Sequence, residues 1–161
     1  FKEKSQSLKR KVIGAMVYPT VVILVAVAIV TFIMVYIIPK FKKIFDELKR
    51  QLGIPAQVLA IVVPNNPLVV SVQPLEGRTV FQMSFEEAFL NMLDEDDMRA
   101  VVAHELGHVW IFTHHPYLQT EELANRIAYR AVTSDSMDRV YEKLRSRQIA
   151  AGSMAASVRL Q

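Results

Sequence analysis

The hydrophobic and polar positions divide the chain into two parts with different patterns. From Val12 to Pro39 there are 28 residues without a charged side chain, rich in Val, Ile and Ala. About 20 apolar residues are enough to cross the hydrocarbon core of a bilayer, and a helix buried in a soluble protein rarely stays uncharged on every face. The pattern therefore predicts one transmembrane helix over residues 12–39, with Pro39 ending it.

Polar segments flank the predicted membrane helix on both sides. Residues 1–11 are basic and polar, and residues 40–55 place Phe41, Ile44 and Phe45 among charged positions. This spacing of apolar residues is typical of an amphipathic helix. We therefore expect a basic flank before the membrane helix and a linker helix after it. Because both flanks carry Lys and Arg, the positive-inside rule does not fix the orientation.

After residue 55 the pattern changes to short β-branched runs and then to helical periodicity. It predicts strands over residues 58–63, 68–72 and 79–83, and helices over residues 85–93, 95–112, 120–132 and 137–151. A turn is expected over residues 73–77, and Ser84 is expected to cap the first of these helices. The elements predict a small α+β domain over residues 56–151, and residues 152–161 are expected to fray.

Composition and charge separate the same two parts. Residues 1–52 carry ten Lys and Arg against three Asp and Glu, whereas residues 53–161 carry nine against thirteen, for an overall net charge of +3. The basic side chains form no stripe interleaved with aromatic residues, so we expect no nucleic-acid partner. The absence of cysteine excludes thiolate zinc sites and disulfides and leaves the compartment open. Because the chain begins at Phe1 rather than at Met, we expect it to be part of a longer protein.

An H-E-x-x-H motif runs from His104 to His108, within the predicted helix 95–112. Residues four apart share one face of a helix, so the two imidazoles can bind the same metal ion. Glu105 is rotated by about 100° from His104, which keeps it off the ion but near a water molecule bound there. Zinc-dependent hydrolysis requires neutral imidazoles, an open coordination position and a carboxylate that accepts a proton. The motif thus predicts His104 and His108 as zinc ligands and Glu105 as the catalytic base.

A catalytic zinc site needs a third protein ligand, and Glu121 is the predicted one. Glu121 and Asn125 are again four residues apart on a predicted helix, which has Thr120 as its N-cap. Asn125 can then hydrogen-bond the second nitrogen of a ligand histidine. The small side chain of Ala124 lets the two helices approach each other closely.

Two other residues are alternatives to Glu121 as the third ligand. His114 lies six residues after His108, the spacing of the third histidine in the metzincin pattern H-E-x-x-H-x-x-G-x-x-H. That pattern needs glycine where this chain has the β-branched Ile111, because the helix must break sharply there. Glu122 is the second alternative. The sequence favours Glu121 over both.

A negative charge that develops on the reacting carbonyl oxygen needs a polar side chain to stabilise it. The candidates are His115, Tyr117, Arg126 and Tyr129. We prefer Tyr129 and His115 as oxyanion stabilisers, although each is also compatible with an ordinary loop or helix position.

The segment E-x-x-A-N from Glu121 to Asn125, which follows H-E-L-G-H, resembles the gluzincin metallopeptidases. It is most similar to peptidase family M48, with E-x-x-A-D after H-E-L-G-H, and to the ImmA-like family, with E-x-x-A-N. The resemblance covers about residues 56–145 and is most specific over residues 94–128. It implies a zincin-like domain of about three strands, the H-E-x-x-H helix and a glutamate helix. The loop Val109–Thr120 is short for M48 and closer to the ImmA-like family.

A second resemblance concerns the first part of the chain. K-V-I-G-A-M-V-Y-P at residues 11–19 and I-P-K-F at residues 38–41 resemble one membrane segment of the GspF/PilC inner-membrane platform proteins of secretion and pilus systems. The match covers about residues 7–55. It implies a single pass through the bacterial inner membrane, with the residues after Pro39 on the periplasmic side. The helical cytoplasmic domains of that family have no counterpart here, so we carry over the membrane helix and not a role in secretion.

The sequence therefore predicts a membrane-anchored zinc metalloendopeptidase. One Zn²⁺ held by His104, His108 and Glu121 would activate a water molecule, and Glu105 would take its proton as it attacks a peptide carbonyl. An edge strand over residues 79–83 is expected to hold an extended peptide by main-chain hydrogen bonds. The expected partners are a peptide or protein substrate and the lipid bilayer. The alternatives are a non-catalytic zinc-binding or scaffold module on the membrane and a fragment of a secretion or pilus platform.

Overall fold

The computed structural model describes residues 2–158, with side chains described for residues 10–75, 77–150 and 152. The chain divides into two compact units, Phe1–Lys43 and Ile44–Gln161. The described residues of the first unit are helical, and the second unit combines helices with a small sheet. The predicted α+β fold class with one long apolar N-terminal helix is thereby confirmed.

The first unit consists of helix α1 (Lys2–Phe32), a π-helical turn (Ile33–Ile37) and the start of helix α2 (Ile38–Leu52). Every side chain from residue 10 to residue 40 is exposed. The helical stretch Arg10–Leu52 contains a window with a mean hydropathy of 3.2. By its length and composition this helix can cross a membrane, because the bilayer core accommodates apolar side chains that the protein itself does not bury.

Both prolines of this segment are accommodated within helical structure. Pro19 lies inside α1, where the neighbouring Thr20 Oγ1 donates a hydrogen bond to the Met16 carbonyl at 2.7 Å. The prediction that Pro39 ends the helix is wrong, because α2 continues to Leu52. Pro39 is the second residue of α2 and follows the π-helical turn. Proline has no N–H to donate to the preceding turn. At this position the hydrogen-bond pattern changes from π-helical to α-helical, so proline is tolerated as it is in the first turn of a helix.

The second unit contains a three-stranded sheet of β1 (Gln57–Val63), β2 (Val70–Glu76) and β3 (Val80–Glu86). The strand order is β1-β3-β2, with β1 parallel and β2 antiparallel to β3. The prediction that residues 79–83 form an edge strand is wrong, because β3 is the central strand. Its side chains explain this position, since Phe81, Met83 and Phe85 are almost completely buried.

Strand β2 extends further than the sequence indicates. The predicted turn over residues 73–77 is wrong, because the strand continues to Glu76. The turn comprises residues 77–79 between the paired Glu76 and Val80, and the φ angles of Gly77 and Arg78 are 53° and 62°. Pro74 signals a turn in the sequence, but an edge strand tolerates proline because one of its sides needs no hydrogen bonds.

The second unit also contains the end of α2 and helices α3 (Glu87–Leu90), α4 (Glu95–His114), α5 (Glu121–Ala128) and α6 (Ser134–Val158). The predicted helix over residues 85–93 is wrong in its start, and Ser84 is not its cap. Both Ser84 and Phe85 belong to β3, where the Phe85 side chain is fully buried. α5 is shorter than predicted, and Tyr129 is its C-terminal cap.

The C-terminal helix is longer than the sequence predicts. The predicted frayed tail begins at residue 152, but α6 continues to Val158, so the prediction is wrong for residues 152–158. Met154, Ala155 and Ala156 are good helix formers, and Gly152 is the residue of lowest helix propensity in this segment. The remaining residues 159–161 lie outside the described residues.

Helix α4 contacts β2, α5 and α6 and lies within the core of the second unit. Its N-terminus has a capping box, in which the Asp94 side chain accepts from the Asp97 N–H at 2.8 Å and the Asp97 side chain accepts from the Asp94 N–H at 3.4 Å. Buried residues recur along its whole length, and Val102, Leu106 and Val109 are fully buried. The helix that carries the H-E-x-x-H motif is therefore fixed on several sides.

Helix α6 is held against the rest of the second unit by two buried carboxylates. Asp97 is fully buried, and it accepts hydrogen bonds from Arg139 Nε at 3.2 Å and from Lys143 Nζ. Glu86, at the end of β3, accepts two hydrogen bonds from Arg147 at 2.8 and 2.6 Å. Burial raises the pKa of Asp97, but the hydrogen bonds from Lys143, the Asp94 N–H and Arg139 outweigh it and leave the pKa below its ordinary value.

Replacing Asp97 with Asn should lower the free energy of unfolding by about 2 kcal/mol at neutral pH, because hydrogen bonds to a charged group contribute about 1.5–3 kcal/mol each. The native pKa is depressed, so the carboxylate contributes its stabilisation above its ordinary pKa and loses it as the pH falls through the native pKa. The variant should therefore be less sensitive to acid than the wild type. Chemical denaturation in detergent, followed by the fluorescence of the single tryptophan, measures both effects.

The exposed Asp138 on α6 provides a matched control for this experiment. Its replacement by Asn should change neither the stability at neutral pH nor the acid sensitivity. Equal acid sensitivity of the wild type and the Asp97→Asn variant would contradict the assignment.

Candidate metal centre

Two helices bring three potential metal ligands together. α4 carries His104 and His108 one turn apart, and their Nε2 atoms are 3.2 Å from each other. α5 begins with Glu121, whose Oε2 is 3.1 Å from His104 Nε2 and whose Oε1 is 3.3 Å from His108 Nε2. The potential ligand atoms of the three residues all lie within 4.8 Å of one another. This group, called the His/His/Glu group below, consists of the three residues that the sequence predicts as ligands.

The second nitrogen of each imidazole contacts an amide side chain. His104 Nδ1 is 2.7 Å from Asn125 Oδ1, and His108 Nδ1 is 3.1 Å from Gln119 Oε1. Amide oxygens only accept hydrogen bonds, so both Nδ1 atoms donate and both Nε2 atoms keep a free lone pair. Two facing lone pairs and a carboxylate at this distance form a site for a cation. Two neutral imidazoles and a carboxylate are a donor set that Zn²⁺ prefers, so the residues fit a zinc ion.

The surroundings of His104 favour its neutral form. Burial lowers the pKa of His104 first, and the charge of His108 lowers it further. The hydrogen bond with Asn125 and the charge of Glu121 act in the opposite direction without reversing the shift. A neutral imidazole is the form that binds a metal ion.

Tyr141 on α6 supports the contact between Asn125 and His104. Its hydroxyl donates a hydrogen bond to Asn125 Oδ1 at 2.8 Å, so this oxygen accepts from both Tyr141 and His104. Burial raises the pKa of Tyr141, which keeps the hydroxyl protonated and able to donate. The sequence places Tyr141 on the inward side of a helix, but nothing in it identifies Asn125 as the partner.

Glu105 lies on the same turn of α4 as His104 and is only 9% exposed. Burial raises the pKa of Glu105 to about 8, with a further contribution from the negative charge of Glu121. Its carboxyl group can therefore hold a proton near neutral pH. The sequence predicts this residue as a base beside the metal, and the structure brings it to the cleft that the His/His/Glu group also lines.

This cleft has a volume of about 500 Å³. Its titratable and amide side chains come mainly from α4, α5 and the loop before α5, whereas β2 and α6 contribute mainly apolar side chains together with Ser71 and Tyr141. The apolar side chains of β2 and α6 in the cleft are Val70, Val72, Met137, Val140 and Leu144. A concave apolar site with a few convergent polar groups is typical of a ligand-binding cleft.

The crossing of α4 and α5 leaves no room for a side chain at Gly107. A Cβ atom on Gly107 would lie 2.6 Å from the carbonyl oxygen of Ala124 and 3.1 Å from its Cα. Ala124 is fully buried, so the contact is between backbone atoms that cannot rotate away. The sequence predicts the role of Ala124 in this approach but not that of Gly107, which lies between the two motif histidines.

The other candidates from the sequence lie outside the His/His/Glu group. His114 stacks on Trp110 with ring centroids 4.2 Å apart, and its Nδ1 is 2.9 Å from the Trp110 carbonyl oxygen. α4 passes through the buried Ile111 without the break that a third histidine would require. His114 is therefore not one of the clustered ligands in the described part of the chain, and the alternative Glu122 is an exposed side chain beside Glu121.

The two preferred oxyanion stabilisers are not brought to the cleft. His115 caps the C-terminus of α4, and Tyr129 caps the C-terminus of α5 with 45% of its surface exposed. Neither lines the cleft among the described residues, whereas Tyr141 does. Tyr117 is 96% exposed, and Arg126 is also exposed.

A model of peptidase family M48 matches residues 75–160, which is more than half of the 161 residues. The chain belongs to peptidase family M48. The match includes the β3 strand, the helices α4 and α5 that carry the His/His/Glu group, and the whole of α6. The short segment between His108 and Glu121, which departs from the M48 pattern, does not remove the chain from the family; its first part is the end of α4 and not a loop.

This M48 chain is similar to two kinds of curated protein. It is 40% identical over 57 residues to the type IV pilus assembly protein TapC of Aeromonas hydrophila, which is 35% of this chain and 14% of that protein. It is 32% identical over 73 residues to a protease HtpX homolog of Methanothermobacter thermautotrophicus, which is 44% of this chain and 27% of that protein. Both resemblances predicted from the sequence are confirmed, and the chain spans only a minor part of each relative.

Among solved structures, the crystal structure of the metallopeptidase zymogen of Pyrococcus abyssi abylysin matches this M48 chain. The match has a TM-score of 0.49 and 16% sequence identity, and it covers 66% of this chain and 93% of that one.

Replacing Gly107 with Ala should destabilise the second unit by about 1–3 kcal/mol, because the added methyl group pushes the α5 backbone away from α4. Zinc affinity should fall at the same time, since the displacement moves Glu121 and Asn125 away from the histidines. Denaturation and competition with a chromophoric chelator measure the two effects. In the control Gly152→Ala, no atom lies within 4 Å of the new Cβ, so stability should stay the same or rise by up to about 1 kcal/mol. Wild-type zinc affinity in Gly107→Ala would contradict the role of the crossing.

Proposed function

We propose that this chain is a membrane-anchored zinc metalloendopeptidase. The observation that carries the proposal is the His/His/Glu group, in which both imidazoles turn free Nε2 lone pairs toward one carboxylate. Membership of peptidase family M48 supports the reaction class, and the similarity to protease HtpX homologs supports an association with a membrane. The apolar helix over residues 12–39 supports the anchor.

His104, His108 and Glu121 are the residues that would hold the zinc ion. Zinc bound there supplies Lewis-acid activation of water and of a peptide carbonyl. Asn125 and Gln119 keep the two imidazoles in the tautomer that leaves Nε2 free. Glu121 is 73% exposed, so the group opens toward solvent and toward an arriving substrate.

Glu105 is the general base in this proposal. Its carboxylate takes a proton from the attacking water and later gives it to the leaving amine. Burial and the charge of Glu121 raise the pKa of Glu105. A nearby cation would lower this pKa, because it favours the ionised carboxylate. The two effects oppose each other. A group with a pKa near the working pH can both accept and return a proton within one reaction cycle.

Strand β2 is the strand that we propose for holding the peptide. It is an edge of the sheet, and Val70, Ser71 and Val72 line the cleft. An extended peptide beside β2 would form main-chain hydrogen bonds and run past Glu105 and the His/His/Glu group. This assignment replaces residues 79–83, which form the central strand and have no free edge.

The membrane in this proposal is the bacterial inner membrane, crossed once by residues 12–39, with the second unit on the periplasmic side. The resemblance of residues 7–55 to the GspF/PilC inner-membrane platform proteins supports the type of membrane, and the similarity to the pilus assembly protein TapC agrees with that resemblance. The substrate is a peptide or a protein.

Replacing Glu105 with Gln should abolish proteolysis while zinc remains bound, because the ligands stay in place and only proton transfer is lost. Loss of a positioned general base typically lowers kcat by about 10² to 10⁴-fold. Cleavage of an unfolded reporter protein and metal analysis of the same sample measure the two properties. The exposed Glu122→Gln variant is the matched control and should keep wild-type activity. Full activity of Glu105→Gln would remove the proposed mechanism.

Removing the metal with a chelator should abolish proteolysis and lower the thermal stability of the second unit. Zinc at 100 times its dissociation constant stabilises the folded state by about 2.7 kcal/mol, and this difference should disappear in the apo-protein. Metal analysis should give one zinc per chain, and the Glu121→Gln variant should bind zinc much more weakly. A chain that binds zinc with wild-type stoichiometry but cleaves nothing would instead be a non-catalytic module on the membrane.

A further inference from the structure

We propose that Gln119 is a positioning residue that fixes the tautomer and orientation of His108. This inference rests on the proposed zinc site and extends it to a residue outside the H-E-x-x-H and E-x-x-A-N motifs. Gln119 lies in the loop between the two ligand-bearing helices, two residues before Glu121.

The tautomer of His108 follows from two contacts of one side chain. Gln119 Nε2 donates to the backbone carbonyl of His108 at 3.1 Å. A carbonyl oxygen only accepts, so the NH₂ group of Gln119 must face it and the amide oxygen must face the imidazole. Gln119 Oε1 is 3.1 Å from His108 Nδ1, and this oxygen also only accepts. His108 Nδ1 therefore carries the proton, and Nε2 is left free for a metal ion.

The loop brings Gln119 back to a residue that lies eleven positions earlier. The His115 N–H donates to the Ile111 carbonyl at 2.7 Å and ends α4. The 3₁₀ turn Pro116–Leu118 then reverses the chain, with the Leu118 N–H bonded to the His115 carbonyl at 2.9 Å. Gln119 follows directly and lies beside His108.

The same loop also sets the start of α5. Thr120 is the N-cap, and its Oγ1 accepts from the Leu123 N–H at 3.2 Å. Glu121 is the first residue of the helix. Gln119 therefore contacts one proposed ligand, Thr120 caps the second helix, and Glu121 is another proposed ligand. These three residues are consecutive because the loop is short.

The exposure of Gln119 limits the size of the expected effect. Its two hydrogen bonds lie at the surface and compete with water, whereas the contact between Asn125 and His104 is partly buried. Loss of a residue that orients a metal ligand typically lowers metal affinity by about 10 to 100-fold. We expect a loss near the lower end of that range, about tenfold.

The test uses the full chain in detergent and three variants. Gln119→Met keeps the length of the side chain and loses both hydrogen bonds. Gln119→Glu keeps an oxygen that accepts from Nδ1. The control is Gln148→Met, which makes the same change at an exposed glutamine on α6 that does not line the cleft.

Two measurements are made on each protein. Zinc affinity is measured by competition with a chromophoric chelator. The tautomer of His108 is measured by nitrogen-detected NMR of zinc-free protein at about pH 8, where imidazoles are largely neutral. Only four histidines contribute signals, and a His108→Asn variant assigns the relevant one.

Gln119→Met should bind zinc about tenfold more weakly and shift the zinc-free His108 away from the Nδ1–H tautomer. Gln119→Glu should restore that tautomer, and Gln148→Met should match the wild type in both measurements. A purely structural role of Gln119 would lower the melting temperature without changing the tautomer. Wild-type affinity and an unchanged tautomer in Gln119→Met would overturn the proposal. Failure of the wild type to bind zinc would refute the proposed function, whereas the tautomer measurement would still decide the role of Gln119.

Discussion

The close crossing of α4 and α5 is the constraint on which the rest of the site depends. Gly107 lies against the backbone of Ala124, at a distance that excludes any side chain on Gly107. α4 carries both imidazoles, and α5 begins with Glu121 three residues before the crossing. Helices are rigid over such short lengths, so the separation at the crossing fixes the distances between the carboxylate and the imidazoles. The absence of a side chain at Gly107 therefore sets how far Glu121 lies from the two imidazoles.

A second constraint acts through α6. Asp97, in the first turn of α4, holds Arg139 and Lys143, and these two residues flank Tyr141 on α6. The ion pairs therefore fix the segment of α6 whose hydroxyl reaches Asn125. Asp97 lies two helical turns before His104 and contacts α6 directly, so its effect on the His/His/Glu group acts through α6. Stability of the domain and orientation of His104 depend on the same packing of α6.

Spacing along one helix is the most direct prediction from the sequence, whereas Glu121, Asn125 and Ala124 on a second helix are predicted from the need for a third ligand and the resemblance to the gluzincins. A spacing of four brings His104 and His108 side by side wherever α4 forms, because helix geometry is local. The contacts of Gln119, Tyr141 and Gly107 could not be found in this way, since each joins segments whose approach depends on tertiary packing. The sheet follows the same rule. Apolar runs predicted three strands, but the central position of β3 depends on pairing between distant segments, and the proline that signals a turn is tolerated on the edge strand β2.

The electrostatics of the cleft connect this geometry to its chemistry. The lone pairs of His104 and His108 face each other, the carboxylate of Glu121 approaches both, and the buried carboxyl of Glu105 lies beside them. Such a concentration of acceptors next to apolar side chains is unfavourable unless a cation compensates it. Burial disfavours a proton on His104, because it lowers the pKa of that imidazole. A cation between the imidazoles and Glu121 would compensate these acceptors, as the proposed zinc site requires.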